Sequence, residues 1–306
     1  MTTILPEGSE FWLREREDRI GDEVTKRRPW VVTSREDVHS RQIFISANEG
    51  TAPQRPASKM DLCVKCAVSD SDYTSTREPD PKAPKRVPFV VDCQQIWTFL
   101  EDRLEDDAVK YKGLLLPSKL EDVRDMIGKH LEYAPASRGG WLYQGRVIWV
   151  RLAPLHADQG IRVPSGHSDI TSWREAVERL LGYDPKNPSD WFLPAIVLTH
   201  DRYLPEKQEG LRPPGVYRVL TAIPLILSEK LLRKGAPRVP HPKVRAVAYA
   251  PLTQFLMTVS YDACTHDRGR RVITSRPGFE GWEADRATLQ RILTEVRGFM
   301  NIQVPS

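Results

Sequence analysis

KRRPWVVTS, Lys26 to Ser34, sets three cations hard against a proline and then a run of aromatic and β-branched side chains. Pro29 locks its own φ and pushes Arg28 toward an extended backbone, so the last guanidinium stands at the start of a strand rather than on a loop. Trp30, Val31, Val32 and Thr33 suit a pleated, half-buried surface. The stretch reads as a buried strand with a fixed cation at its rim. On composition alone Lys26, Arg27 and Arg28 would be a solvated hairpin end, and it is the surrounding sequence that argues for more.

Upstream, GSEFWL (Gly8 to Leu13) is a short strand, and Arg14 to Lys26, broken at Gly21, is the hairpin loop that leads into the next one. Downstream, QIFIS (Gln42 to Ser46) is a third strand. Residues 48–86 are rich in Pro, Ser, Asp and Lys and too poor in apolar side chains to order themselves, so a long protease-sensitive flap, or a segment ordered by a bound partner, is expected there. VPFVVDCQQIWTFL (Val87 to Leu100) resumes order as a strand followed by a second segment. SKLEDVRDMIGKHLEY then places Leu120, Val123, Ile127 and Leu131 on one helical face, with Ser118 as N-cap and Glu121 three residues on. Ala134 to Gly140, APASRGG, has the composition of a linker.

The same grammar begins again beyond it. GRVIWVRL (Gly145 to Leu152) matches the first strand, LPAIVLTHD (Leu193 to Asp201) the proline-led one, and VYRVLTAIPLIL (Val216 to Leu227) the third. RATLQRILTEVRGFM closes the chain as a helix with Asp285 as N-cap. The economical reading is an internal repeat, with domains at 1–136 and 137–306 and an insertion at 156–190 that carries one amphipathic helix. Two such copies can pair within one chain.

The 306 residues suffice for two domains, and a composition 40% hydrophobic and 28% charged is that of a soluble globular protein. No apolar run approaches the roughly 18 residues that span a bilayer, and the N-terminus lacks the pattern of a secretory signal; a cytoplasmic protein with no membrane partner is expected. A net charge of +4 permits RNA binding without requiring it. Cys63 and Cys66 form a CxxC with no second pair of ligands, and His156, Asp158 and His167 have no metal-site spacing; no metal is expected.

Gly21, Glu23, Arg28, Pro29, Val31, Val32 and Ser34 form a G-x-E-x4-R-P-x-V-V-x-S pattern between two short strands that resembles the PemK/MazF toxin family. VVDCQQIWTFLEDRL and GLLLPSKLEDVRDMIGKHL are similar to that family's later strand, Arg-Leu turn and terminal helix. The resemblance covers about residues 4 to 133, with a weaker copy over about 141 to 301. It implies a mainly β protein with some α: two tandem SH3-like β-barrels of the MazF/CcdB type, each with a C-terminal helix, joined as an intramolecular pseudo-dimer around a groove. It also implies a metal-independent, cofactor-free endoribonuclease acting on single-stranded RNA by attack of a 2′-hydroxyl on the neighbouring phosphate. An antitoxin or other regulatory protein would be its partner.

Within that resemblance Arg28 meets the charge on the phosphorane, Glu23 assists the proton chemistry, and Lys26, Arg27 and Arg35 hold flanking phosphates. The family's next strand carries a threonine in a V-P-x-T segment; QIFISANEG offers Ser46, Ala47 or Asn48, and Ser46 is the candidate. In the second copy the arginine position is Leu193 and the P-x-T place reads Pro224, Leu225, Ile226, so that copy is non-catalytic. The other reading makes both copies a protein- or nucleic-acid-binding module, as an inhibitory subunit of a toxin–antitoxin or phage-defence complex.

Overall fold

Alternating apolar runs of this length bury a sheet face only by pairing, and pairing organises the whole molecule. The computed structural model describes residues 6–13, 28–35, 44–51, 62–72, 88–100, 109–134, 142–151, 192–204, 219–226, 235–241, 248–260, 264–265 and 282–303. Up to residue 134 these form β1 (Ser9–Leu13), β2 (Arg28–Val32), β3 (Phe44–Thr51), β4 (Cys63–Cys66), β5 (Ser71–Asp72), β6 (Phe89–Leu100), β7 (Val109–Leu115) and helix α1 (Pro117–His130). From residue 142 they form β8 (Val147–Arg151), β9 (Phe192–Val197), β10 (Val219–Ile226), β11 (Val239–Pro240), β12 (Ala248–Pro251), β13 (Met257–Ser260), β14 (Cys264–Thr265) and helix α2 (Arg286–Phe299). The fold is mainly β with few helices. No helix among the described residues is long and apolar enough to cross a membrane.

The strands make two seven-stranded sheets. The first runs β4-β6-β3-β2-β1-β7-β5; the second runs β11-β12-β10-β9-β8-β14, with β13 also on β10. Read across, both have a short edge strand, then the late strand or strands, the third, the proline-led, the first, and the strand that precedes the helix. Small features recur with them. Gly8 and Gly145 both take a positive φ, of 77° and 88°. Each N–H bonds the proline-led strand, at Val32 O and Val197 O, both at 2.8 Å. A Cβ on Gly145 would lie 2.8 Å from Leu289, so this turn requires glycine on two counts.

Leu120, Val123 and Ile127 of α1 and Leu289, Ile292, Leu293 and Val296 of α2 belong, with side chains of both sheets, to one continuous apolar cluster. Burying a side chain of this size is worth about 1.5–3 kcal/mol. Asp285 caps α2 as its sequence suggests, accepting from Thr288 N at 2.9 Å. α1 starts differently: Pro117 occupies its first turn, the cap position is Leu116, and Ser118 lies inside the helix. Proline needs no N–H partner there and its φ is already helical, so it starts the helix with one orphan donor fewer.

Three other expectations change. Within the expected strand and second segment at 87–100, Phe89–Leu100 is one strand, β6. β7 has no counterpart in the sequence reading. The expected flap at 48–86 holds the end of β3, all of β4, a short 3-10 turn and β5, and CVKC pairs with β6 from Cys63 opposite Asp92 to Cys66 opposite Phe89. Val64 and Cys66 point inward and Lys65 outward, a four-residue alternation hidden by the polar sequence around it. The hairpin loop 14–27, the linker from residue 135 to 140 and the insertion at 156–190 lie outside the described residues.

The sheets meet along β6 and β13, and there the bonds are reciprocal. Leu256 N donates to Thr98 Oγ1 at 2.8 Å, and Ile96 N donates to Thr258 Oγ1 at 2.9 Å. Thr98 sits opposite Ser46 on β3, and Thr258 opposite Thr221 on β10. The helix ends obey the same rule: His200 N donates to His130 O, the last residue of α1, and Arg35 N to Phe299 O, the last of α2, both at 2.9 Å.

His130 is fully buried in this seam. Thr221 Oγ1 donates to Gln94 O at 3.2 Å and so accepts the Nε2 proton of His130, at 2.8 Å. Nδ1 has no hydrogen-bond partner among the described residues. Burial pushes the imidazole pKa down to about 4, with His200 adding to the shift and Asp92 opposing it. An unfolded histidine titrates near 6.5, so between those values the unfolded chain binds the extra proton and stability falls as pH falls. The loss amounts to about 3 kcal/mol across that window. Melting followed from pH 7.5 to pH 4.5 should show this drop, and His130→Phe should flatten it; an equal drop in the variant would assign the acid sensitivity elsewhere.

Candidate functional site

Proline cannot donate to a ladder, so it belongs at the beginning of a strand, and Pro29 is the second residue of β2. Arg28 opens the strand opposite Leu13 of β1, and Pro29 is opposite Trp12. On the other side β2 meets β3 with Trp30 opposite Glu49, Val31 opposite Asn48 and Val32 opposite Ala47. Carried two residues further, this register sets Arg28 across from Thr51, the last residue of β3. The irregularity nearby is a bulge on the far side of β3: Asn48 is opposite Ile96 but Gly50 is opposite Val91, so the extra residues are on β6 and β3 runs straight.

The third strand does not end at Ser46, as QIFIS suggests; it continues through Thr51. Ser46 sits opposite Thr98, five residues before Thr51, roughly 16 Å away at a strand's rise per residue. The backbone therefore does not bring Ser46 to Arg28, and it brings Thr51 instead. With the strand ended at Ser46, Thr51 does not enter the sequence reading. Arg35 lies beyond the opposite end of β2 from Arg28, half-buried, with its N–H on Phe299 O in the seam. Glu23, Lys26 and Arg27 lie outside the described residues.

In the second sheet Pro194 is opposite Trp149, as Pro29 is opposite Trp12, and Leu193 is opposite Val150. Ala195 is opposite Pro224, so the same register sets Leu193 across from Ile226. Both side chains are apolar and buried. Neither can move a proton or meet a negative charge.

The CxxC does not make a chelate. Cys63 and Cys66 are three residues apart on one strand, so their side chains leave opposite faces of the sheet. Among the described residues no three His, Cys, Asp or Glu side chains are grouped to hold a metal ion. Burial, with the nearby Glu10 adding to it, pushes the Cys66 thiol up to about 12, and burial likewise raises Cys93 well above the usual thiol range.

No family model and no curated protein matches the chain. Among solved structures it is similar to an endoribonuclease from a mycobacterial species, with 16% identity over 42% of this chain and 90% of that one, and a TM-score of 0.26. It is likewise similar to MazF from Deinococcus radiodurans, with 17% identity over 41% of this chain and 94% of that one, and a TM-score of 0.26.

Thiol reactivity follows from the burial. Since only the thiolate reacts, Cys66 and Cys93 should resist a maleimide or disulfide reagent in the native protein at pH 8 and react once it is unfolded. Peptide mapping in which either is modified as fast as an unfolded control would contradict their placement.

Proposed function

We propose that the chain is a metal-independent endoribonuclease made of two copies of one small SH3-like β-barrel unit, residues 1–136 and 137–306. The first copy carries the chemistry, and the second completes the groove without reacting. Support for two copies comes from the shared strand order, the glycine turns at Gly8 and Gly145 and the reciprocal seam bonds. Support for the chemistry comes above all from one observation, the β2–β3 register that sets Thr51 across from Arg28. An antitoxin or other regulatory protein that covers this groove belongs to the same reading.

Cleavage of this kind needs no external nucleophile. The ribose 2′-oxygen forms a bond to phosphorus, the bond from phosphorus to the 5′-oxygen breaks, and the products carry a 2′,3′-cyclic phosphate and a 5′-hydroxyl. Glu23 takes the 2′ proton, and the departing 5′-oxygen takes one from solvent. As the phosphorane forms, its non-bridging oxygens gain charge, which Arg28 meets with a planar fork and Thr51 with a hydroxyl hydrogen. Pro29 holds the Arg28 backbone extended at the strand start, which reduces the reorganisation the residue needs as that charge appears. Lys26 and Arg27 hold flanking phosphates, which adds affinity and salt dependence but no chemistry.

Cleavage of a long unstructured RNA in chelator tests this. Arg28→Ala should lower the rate by about 100- to 1,000-fold, and Thr51→Ala should fall in the same direction, each with an unchanged melting curve. Ser46→Ala should cut like the parent. A parent that does not cut, or an Arg28→Ala that cuts as fast, would leave the chain a non-catalytic binding module. Loss of activity in Ser46→Ala but not in Thr51→Ala would move the site along β3.

A further inference from the structure

The last carbonyls of a helix have no partner within it and carry partial negative charge, so two helix C-termini brought together need a donor between them. α1 and α2 are each 14 residues long and their C-terminal ends meet in the seam. The donor is Arg297, in the last turn of α2. Its Nη2 donates to Gly128 O at 3.1 Å and to Leu131 O at 3.4 Å, both on α1. The side chain is buried, and burial lowers its pKa.

Counted from the first residue of each helix, the place of Arg297 on α2 is the place of Gly128 on α1. One guanidinium therefore lies against one glycine; a Cβ on Gly128 would lie 3.1 Å from the Ile302 side chain, which would have to give by a few tenths of an ångström to admit it. The last helical residues differ too. His130 ends α1 with its Nε2 on the Thr221 hydroxyl, whereas Phe299, at the same place on α2, is buried and has no polar side-chain atom.

We propose that the seam is heterotypic: each half presents a surface that fits the other half and rejects a second copy of itself. This rests on the two-copy reading. The hydroxyl bonds at Thr98 and Thr258 and the main-chain bonds at His130 and Phe299 would form in any pairing of two such units, so they hold the halves together without choosing between them. The choice lies in the unlike side chains. Two first halves would set Gly128 against Gly128 and leave Gly128 O and Leu131 O without the donor that Arg297 supplies. Two second halves would bury Arg297 against Arg297, like charges out of water with no carboxylate between them. The repulsive pair excludes the wrong assembly as the bonded pair favours the right one. The partner of each half is the other half of a chain, so one copy with Arg28 meets one without it.

A swap in the full-length protein tests this, read by thermal melting. Arg297→Gly and Gly128→Arg should each lower Tm by on the order of 5 °C, one by removing the donor and the other by adding a second. Gly128→Ala measures the contact with Ile302 set against the better helix propensity of alanine, about 1 kcal/mol in the opposite direction. The double variant moves the guanidinium to the other side of the seam, and should recover more than half of the summed loss. If Gly128→Arg does not fold, recovery of cooperative melting in the double variant is the same result. Additive losses, or a double variant that stays unfolded while Gly128→Ala folds, would overturn the proposal. No RNA is cut in this experiment, so its failure leaves the ribonuclease reading standing.

Discussion

The rest of the structure depends on how β6 and β13 satisfy each other's backbone. A buried N–H without a partner costs as much as a lost hydrogen bond, so two sheets that meet edge to edge need donors and acceptors in matching places. Thr98 and Thr258 supply them, each hydroxyl accepting an N–H from across the seam. Because both threonines sit at the same point of their sheets, the exchange runs in both directions at once, as in the self-complementary interface of a twofold dimer. Once this line is fixed, the helix ends must meet as well, and the apolar cluster closes across both halves.

In the two-copy reading, two like surfaces joined in one chain are free to diverge, because each meets only its partner. A homodimer changes both sides of its axis with every substitution; a tandem chain changes one. In the proposed reading, divergence at Gly128 and Arg297 and at His130 and Phe299 concerns the seam, and divergence at Arg28 and Leu193, and at Thr51 and Ile226, concerns the chemistry; Leu193 and Ile226 are buried aliphatic residues. In the proposed reading, the second sheet keeps the packing and gives up the reaction.

How much of this the sequence discloses depends on whether a feature is local. Pro29 and the β-branched run after it mark β2, and Leu193, Pro194 and their run mark β9, since proline and side-chain shape act within a few residues. The N-cap at Asp285 is legible for the same reason. What fails is what pairing decides. β3 runs five residues past Ser46 because β2 and β6 lie on either side of it, and A-N-E-G-T has no strand propensity of its own. β4 is a strand because an edge of β6 is there to pair with. β11, β12, β13 and β14 are too short for periodicity to register. Thr51 was therefore in plain view and invisible: its place across from Arg28 comes from register, which no window of neighbouring residues contains.

The central claim is that the first half cuts RNA with its own side chains and the substrate's 2′-oxygen. The most direct measurement is mass spectrometry of the ends left on a defined single-stranded RNA after incubation with the full-length protein in excess chelator. The account predicts fragments with a 2′,3′-cyclic phosphate on one side of each break and a 5′-hydroxyl on the other. Intact RNA, or ends with a 5′-phosphate and a 3′-hydroxyl, would contradict it.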